Sequence, residues 1–115
     1  MSFKKDDKNK VRLGLVEREY VEGIAKVLGF GAEKYGTNNW KLGTSEEDIL
    51  RLKDSLLRHT LAYAHGEELD PETNLSHAYH ISCNAMFLDY IYRTNKEKSK
   101  LDYIFRDKVK NDRRI

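Results

Sequence analysis

The sequence has one cysteine, Cys83, and one proline, Pro71, in 115 residues. A lone cysteine excludes a disulfide framework, and no CxxC or Cys/His spacing of the zinc-binding kind occurs. One proline and seven glycines exclude collagen-like and proline-rich disordered chains. No apolar run approaches the ~18 residues that a membrane span needs. The opening MSFKKDDKNK has lysines but no hydrophobic segment behind them, so it does not read as a signal peptide. Internal repeats and low-complexity tracts are absent. Strand-like alternation is nearly absent too: almost every apolar segment repeats with a helical period. The expectation is a small all-α protein of the cytoplasm with no membrane partner.

Hydrophobic residues make up 39% of the chain and charged ones 35%. That supports one modest core, and a domain this small often gains stability by oligomerising, so a homo-oligomer is expected. The net charge of +2 is unevenly spread. Residues 1–10 hold four lysines and two aspartates, and residues 106–115 hold five basic and two acidic side chains. The body between them is net acidic. The chain therefore divides into a basic arm (1–10), a single all-α domain (11–109) and a basic tail (110–115). Basic ends can grip phosphates, but frayed, solvated termini are the commoner case. Nucleic acid is accordingly the weakest of the partners considered.

The first helix is expected over 16–34, with Tyr20, Ile24, Val27, Leu28, Gly31 and Tyr35 on one stripe. Glu17, Glu19 and Glu22 crowd its start, where the helix dipole favours acids. Gly23, Gly29 and Gly31 weaken it and read as points where another backbone or a ligand comes close. Gly36 is the expected stop. Thr44 or Ser45 caps a second helix over 46–65, with Glu47 or Asp48 completing a capping box. Its expected buried face is Ile49, Leu52, Leu56, Leu57, Thr60, Leu61 and Ala64, and Gly66 ends it. Residues 67–74 form a polar Asp-Pro turn. A third helix runs from 75 or 76 to 93, with Ala78, Ile81, Ala85, Leu88 and Tyr92 in line. A short fourth helix is expected around 98–109.

Three places carry chemistry. On the third helix His77, His80 and Asn84 share one stripe, which continues as Phe87, Leu88 and Ile91. Burying such groups costs free energy unless they are paired, so they form either a structural network or a site. On the second helix Arg58 and His59 lie beside the apolar stripe, and Asp54 stands at ion-pair spacing from Arg58. Antiparallel packing would bring His59, the acidic turn (Glu67, Glu68, Asp70, Glu72) and His77 and His80 to one end. Carboxylates and imidazoles so placed can hold a divalent metal or exchange protons. The third place is Lys34-Tyr35-Gly36-Thr37-Asn38-Asn39-Trp40. It offers a cation for phosphate, aromatic faces for a base and amides for its edge, or else it is an Asn-rich turn anchored by a buried Trp.

The blocks VRLGLV (11–16), VLGFGAEKYGTNNW (27–40) and LLRHTLAYAHGEELDPETNLSHAYHISCNAMFL (56–88) resemble the phage family of dATP/dGTP diphosphohydrolase N-terminal domains. That family is similar to the all-α MazG-like nucleotide pyrophosphohydrolases. The resemblance covers about residues 11–92, through the patterns FGAxKYGxxNW and LRHxxAxxxGExxDxExxxxHxxHxxxNAxFL. With the three main helices and the short C-terminal one expected from periodicity, it implies a MazG-like bundle completed by oligomerisation. It also implies a purine deoxynucleoside triphosphate as substrate. Water, assisted by Mg²⁺ or Mn²⁺, would attack the α-phosphorus and release pyrophosphate. His59, Glu67, Asp70, His77 and His80 would form the catalytic centre. Arg12, Lys34, Tyr35, Asn39, Trp40, Arg58 and Asn84 would contact substrate, and Glu19, Glu22 and Asp70 would hold metal. One departure stands out. Glu19-Tyr-Val-Glu22 fits the ExxE of MazG-like enzymes, but His80 and Asn84 stand where the later helix should carry Glu and Asp. Neutral ligands bind Mg²⁺ poorly, so a non-catalytic nucleotide-binding protein, such as a sponge for a nucleotide signal, is the alternative.

Overall fold

A computed structural model describes residues 2–94, and these form three α-helices with no β-strand among the described residues. Helix α1 spans Arg18–Tyr35, α2 spans Glu46–Ala64 and α3 spans His77–Thr94. Short 3₁₀ turns lie at Leu13–Leu15 and Asn39–Leu42. The all-α class and the three main helices match the periodicity, with ends displaced by a residue or two. The helix expected around 98–109 and the tail at 110–115 lie outside the described residues. No described helix is long and apolar enough to cross a membrane.

Local chemistry sets the helix ends. The Glu17 carboxylate accepts the backbone N–H groups of Glu19 and Tyr20 at 3.1 and 2.8 Å. Those donors have no partner inside the helix, and a carboxylate also suits the positive end of the dipole. At α2 the Ser45 hydroxyl accepts from Asp48 N at 3.0 Å, and the Asp48 carboxylate reaches back to Ser45 N. This is the expected capping box. Gly36 and Gly66 follow α1 and α2 with φ of 98° and 100°, in the left-handed region that a side chain would strain.

Helix α3 is central, and both α1 and α2 pack against it. Ile49 of α2 meets Leu88 and Ile91 of α3 in a small buried core, flanked by Leu52, Leu56 and Tyr92. On the α1 side, Gly23 admits the Tyr79 ring: a Cβ at Gly23 would lie 2.4 Å from its carbons. Tyr20 meets that ring edge-on, with centroids 5.4 Å apart, and its hydroxyl bonds the Ser82 hydroxyl and the Ala78 carbonyl. Cys83 is buried beneath α1 with Sγ 3.5 Å from the Ile24 carbonyl, and burial pushes its thiol up to about 11. It packs as a small hydrophobe.

The buried face of α2 differs from the one expected. Ile49, Leu52 and Leu56 turn inward, but Leu57 and Leu61 are 55% and 58% exposed. Thr60 and Ala64 are exposed as well. Ser55, His59 and Ala62 take the inward places instead. Two lines of apolar residues fit the helical period on α2, and hydrophobicity alone favours the wrong one. The polar Ser55 and His59 face inward because α3 offers them Asn84 and His77 as partners. Tyr35 and Ala85, also expected in apolar stripes, are exposed.

Two α1 glycines should respond oppositely to alanine. Nothing lies within 4 Å of a Cβ at Gly29, so Gly29→Ala should gain up to about 1 kcal/mol of helix propensity. Gly23→Ala gains the same propensity but must displace the Tyr79 ring, at roughly 1–3 kcal/mol. Urea unfolding should show a raised midpoint for Gly29→Ala and a lowered one for Gly23→Ala. A Gly23→Ala midpoint above wild type contradicts the packing.

Candidate functional site

The end of α1, the loop after it, the inner face of α2, the 67–74 turn and α3 together line a pocket of about 770 Å³. That is within the range of small-molecule sites. Lys34, Tyr35, Asn39 and Trp40 line it from the first segment, Arg58 and His59 from α2, Asp70 from the turn, and His80 and Asn84 from α3. Residues from four segments of the chain thus share one cavity. Gly29 and Gly31 also lie on its wall, so of the three α1 glycines Gly23 admits a side chain and the other two face open space.

The turn between α2 and α3 places the acid. Asp70 N donates to the Leu75 carbonyl at 2.8 Å, Asn74 N to the Asp70 carbonyl at 2.7 Å and His77 N to the Glu68 carbonyl at 2.9 Å. Asn74 adopts a left-handed φ of 59°, which Asn tolerates. The Asp70 Oδ2 atom accepts from Glu72 N and Thr73 N, both at 3.0 Å, and from the Thr73 hydroxyl at 3.3 Å. The carboxylate therefore folds the turn and is itself fixed by it.

Three histidines gather around this acid. His59 Nδ1 lies 2.8 Å from His77 Nδ1, and the His59 ring stacks on His80 with centroids 4.4 Å apart and planes 6° from parallel. His80 Nε2 is 2.7 Å from the Thr73 hydroxyl, which Asp70 Oδ2 also engages. His77 Nε2 is 2.9 Å from Glu67 Oε1. Asp70 stands 3.9 Å from His59 and 4.0 Å from His80. Burial, then the neighbouring His80, holds the His59 imidazole below its ordinary range, and burial does the same to His80. Both rings are therefore neutral at neutral pH, and their approaches to Asp70 are not ion pairs. Burial by itself would raise the Asp70 carboxyl. The Thr73 N–H, the nearby His80 and the Thr73 hydroxyl outweigh it and hold Asp70 below the usual carboxylate range.

The opposite wall is aromatic and amide-bearing. Trp40 stacks on Phe87 with centroids 4.7 Å apart and meets Tyr90 edge-on at 5.0 Å. It is both the anchor of its turn and a wall of the pocket. The Asn84 amide donates to the Ser55 hydroxyl at 3.2 Å and the His80 carbonyl at 3.0 Å. At the mouth, Lys34 of α1 pairs with Glu72 of the turn at 2.8 Å in an exposed contact, which raises the lysine above its usual value. Arg58 lines the pocket and makes no ion pair with Asp54 among the described residues.

Other expected site residues stand apart. Glu19 and Glu22 lie on the exposed first turns of α1, where Glu22 pairs with Arg18 at 2.8 Å. Neither lines the pocket nor joins Asp70 in a ligand cluster among the described residues. Arg12 precedes the Leu13–Leu15 turn, exposed and off the pocket wall. Glu67 and His77 do not line the pocket, but they support His59 from behind. Neither spacing nor resemblance assigned a site role to Ser55, Thr73 or Phe87, yet all three line the pocket, as does Glu72 of the acidic turn. Ser55 stands four residues before His59, hence on its face. Thr73 stands three after Asp70, the spacing of a side-chain-closed turn.

The buried imidazoles fix the sign of a pH effect. His59 and His80 take up protons more readily unfolded than folded, so stability falls as pH drops below about 6.5. Asp70, depressed in the fold, contributes stability above its unfolded value and loses it at lower pH, in the same direction. With a chelator present, the urea midpoint should be lower at pH 5.5 than at pH 7.5. His80→Gln should flatten that dependence. An unchanged slope in the variant rules out His80 as a contributor.

Comparison with known proteins shows the family. The chain matches the family described as "dATP/dGTP diphosphohydrolase, N-terminal" over residues 2–100. It is 37% identical over 87 residues to a protein of Salmonella phage PMBT28 named dATP/dGTP diphosphohydrolase. The aligned part is 76% of this chain but only 29% of that relative. No solved structure matches. Residues 2–100 take in the described helices and the whole pocket, and the chain belongs to the dATP/dGTP diphosphohydrolase N-terminal family.

Proposed function

We propose that the pocket binds a purine deoxynucleoside triphosphate and that the protein is a nucleotide pyrophosphohydrolase, releasing dNMP and pyrophosphate. The observation that carries this reading is the pairing, in one cavity, of an aromatic and amide wall with an arginine and neutral imidazoles. The name of the phage relative supports the same substrate class. Trp40 and Tyr35 offer faces for the base, and Asn39 an amide for its edge. Arg58 offers a planar fork for phosphate oxygens. Lys34 adds a second cation once it leaves Glu72. In hydrolysis, water oxygen bonds to the α-phosphorus, the α–β bridging bond breaks and pyrophosphate departs. The proposed base that takes the proton from water is neutral His80, tied through Thr73 to Asp70.

The family resemblance implies Mg²⁺ or Mn²⁺. Mg²⁺ takes a shell of oxygens, whereas the acids on the pocket wall, Asp70 and Glu72, are engaged by the turn and by Lys34. Two acids on the pocket wall are too few for the oxygen shell of Mg²⁺, so the residues present do not fit it. The same shortage of pocket carboxylates favours a second reading, a binding protein that sequesters a nucleotide without cleaving it.

Incubating the protein with dATP or dGTP and Mg²⁺ or Mn²⁺, then assaying pyrophosphate and dNMP, separates the readings. Release of both products is expected. Saturable binding with intact nucleotide recovered selects sequestration, and no binding of either nucleotide sinks both. Arg58→Ala and Trp40→Ala should each weaken nucleotide binding about tenfold or more, from one lost charge-assisted contact and one lost stacking face.

The proposed active form, in the host cytoplasm if phage-encoded, is a homo-oligomer. Among the described residues the buried apolar side chains are few, while Leu50, Leu57 and Leu61 of α2 face outward. Light scattering should give more than one chain per particle, and Leu57→Lys should lower that number. A monomeric wild type contradicts this.

A further inference from the structure

We propose that His59, His77 and Asp70 form a binding site for a divalent first-row transition metal, selective over Mg²⁺. One ligand atom from each of the three lies within 4.8 Å of the other two. They come from α2, the start of α3 and the turn between them. His59 Nδ1 and His77 Nδ1 are 2.8 Å apart. Two ligands about 2.1 Å from one ion, at right angles, lie about 3 Å from each other, so the imidazole pair already has the spacing. Asp70 Oδ1, 3.9 Å from His59 Nδ1, has to close in by roughly 1 Å to the same geometry.

Each ligand is oriented from behind, as metal sites require. The Glu67 carboxylate can only accept, so the 2.9 Å contact places the proton on His77 Nε2 and leaves the Nδ1 lone pair facing His59. His77 is 3% exposed, so its ring nitrogens are held away from bulk water. Without an ion, a proton must lie between the two facing nitrogens; a bound ion sits off the line between them, and that proton moves to His59 Nε2. The His59 ring is held flat against His80. Asp70 Oδ2 is occupied by the turn's own donors, which turns Oδ1 toward the imidazoles. His80 Nε2 is directed to Thr73 and stays outside the ligand set.

Donor chemistry sets the choice of metal. Two neutral nitrogens and one carboxylate oxygen suit the borderline ions from Mn²⁺ to Zn²⁺, while Mg²⁺ demands oxygens. Three protein ligands leave coordination positions open. His59 and Asp70 also line the pocket, so the open side of the ion faces it. Nothing in this site needs a nucleotide, so it stands or falls separately from the proposed hydrolysis.

The test uses the chelator-stripped, nucleotide-free protein and Co²⁺. A saturable visible absorption band at one ion per chain is expected, lost on adding Zn²⁺ and unaffected by millimolar Mg²⁺. His77→Ala and Asp70→Asn should each weaken Co²⁺ binding at least tenfold, and Glu67→Gln by about tenfold. Glu22→Gln should change nothing. A measurement on wild type guards against misfolded variants: Zn²⁺ should shift the Nδ1 nitrogen resonances of His59 and His77 and leave His65 unmoved. The absence of a saturable band, displacement by Mg²⁺, or Zn²⁺ shifts confined to His65 or His80 would each overturn the site.

Discussion

Burying His77 and Asn84 in a helical bundle costs free energy unless their polar atoms find partners, and the rest of the structure follows from meeting that demand. His77 lies between His59 and Glu67, and Asn84 between Ser55 and the His80 carbonyl. No buried side-chain nitrogen or oxygen among the described residues lacks a partner. The network sets how α2 lies against α3, because Ser55 and His59 must face α3 to supply two of those partners. It also sets the turn, because Asp70 and Thr73 must reach His80.

This arrangement has a cost in core. Ser55 and His59 take two of the inward places of α2 with polar contacts to α3, so the apolar core shrinks to Ile49, Leu88 and Ile91 with their flanks. The leucines displaced from that contact, Leu50, Leu57 and Leu61, are left at the surface. The same geometry opens the pocket. The histidine stack forms one wall, Trp40 on Phe87 forms another, and α1 comes close enough to close the third because Gly23 admits the Tyr79 ring.

Much of this was legible beforehand. The capping box at Ser45 and Asp48, the stops at Gly36 and Gly66 and the polar Asp-Pro turn are local features, and each depends on only a few neighbouring residues. The gathering of His59, Asp70, His77 and His80 at one end followed from two antiparallel helices joined by a short turn. The inward face of α2 was not legible, since Leu57 and Leu61 outrank Ser55 and His59 on any hydrophobicity count. Glu19 and Glu22 had the spacing of a metal motif, but spacing on one helix says nothing of what stands opposite. Glu72 was legible as one of the acids of the turn, but its pairing with Lys34 was not.

By itself the sequence determined the all-α class, the helix starts and stops, the family and the residues able to do chemistry, because these rest on side-chain type and short-range spacing. Only the tertiary structure decided which of those residues meet. It placed Arg58 and His59 on the pocket wall, left Arg12 and Glu19 off it, and set two imidazole nitrogens 2.8 Å apart. That distance joins residues eighteen positions apart, and it depends on how two helices rotate about their axes. The partners that bury each helix fix that rotation, and no local pattern records it.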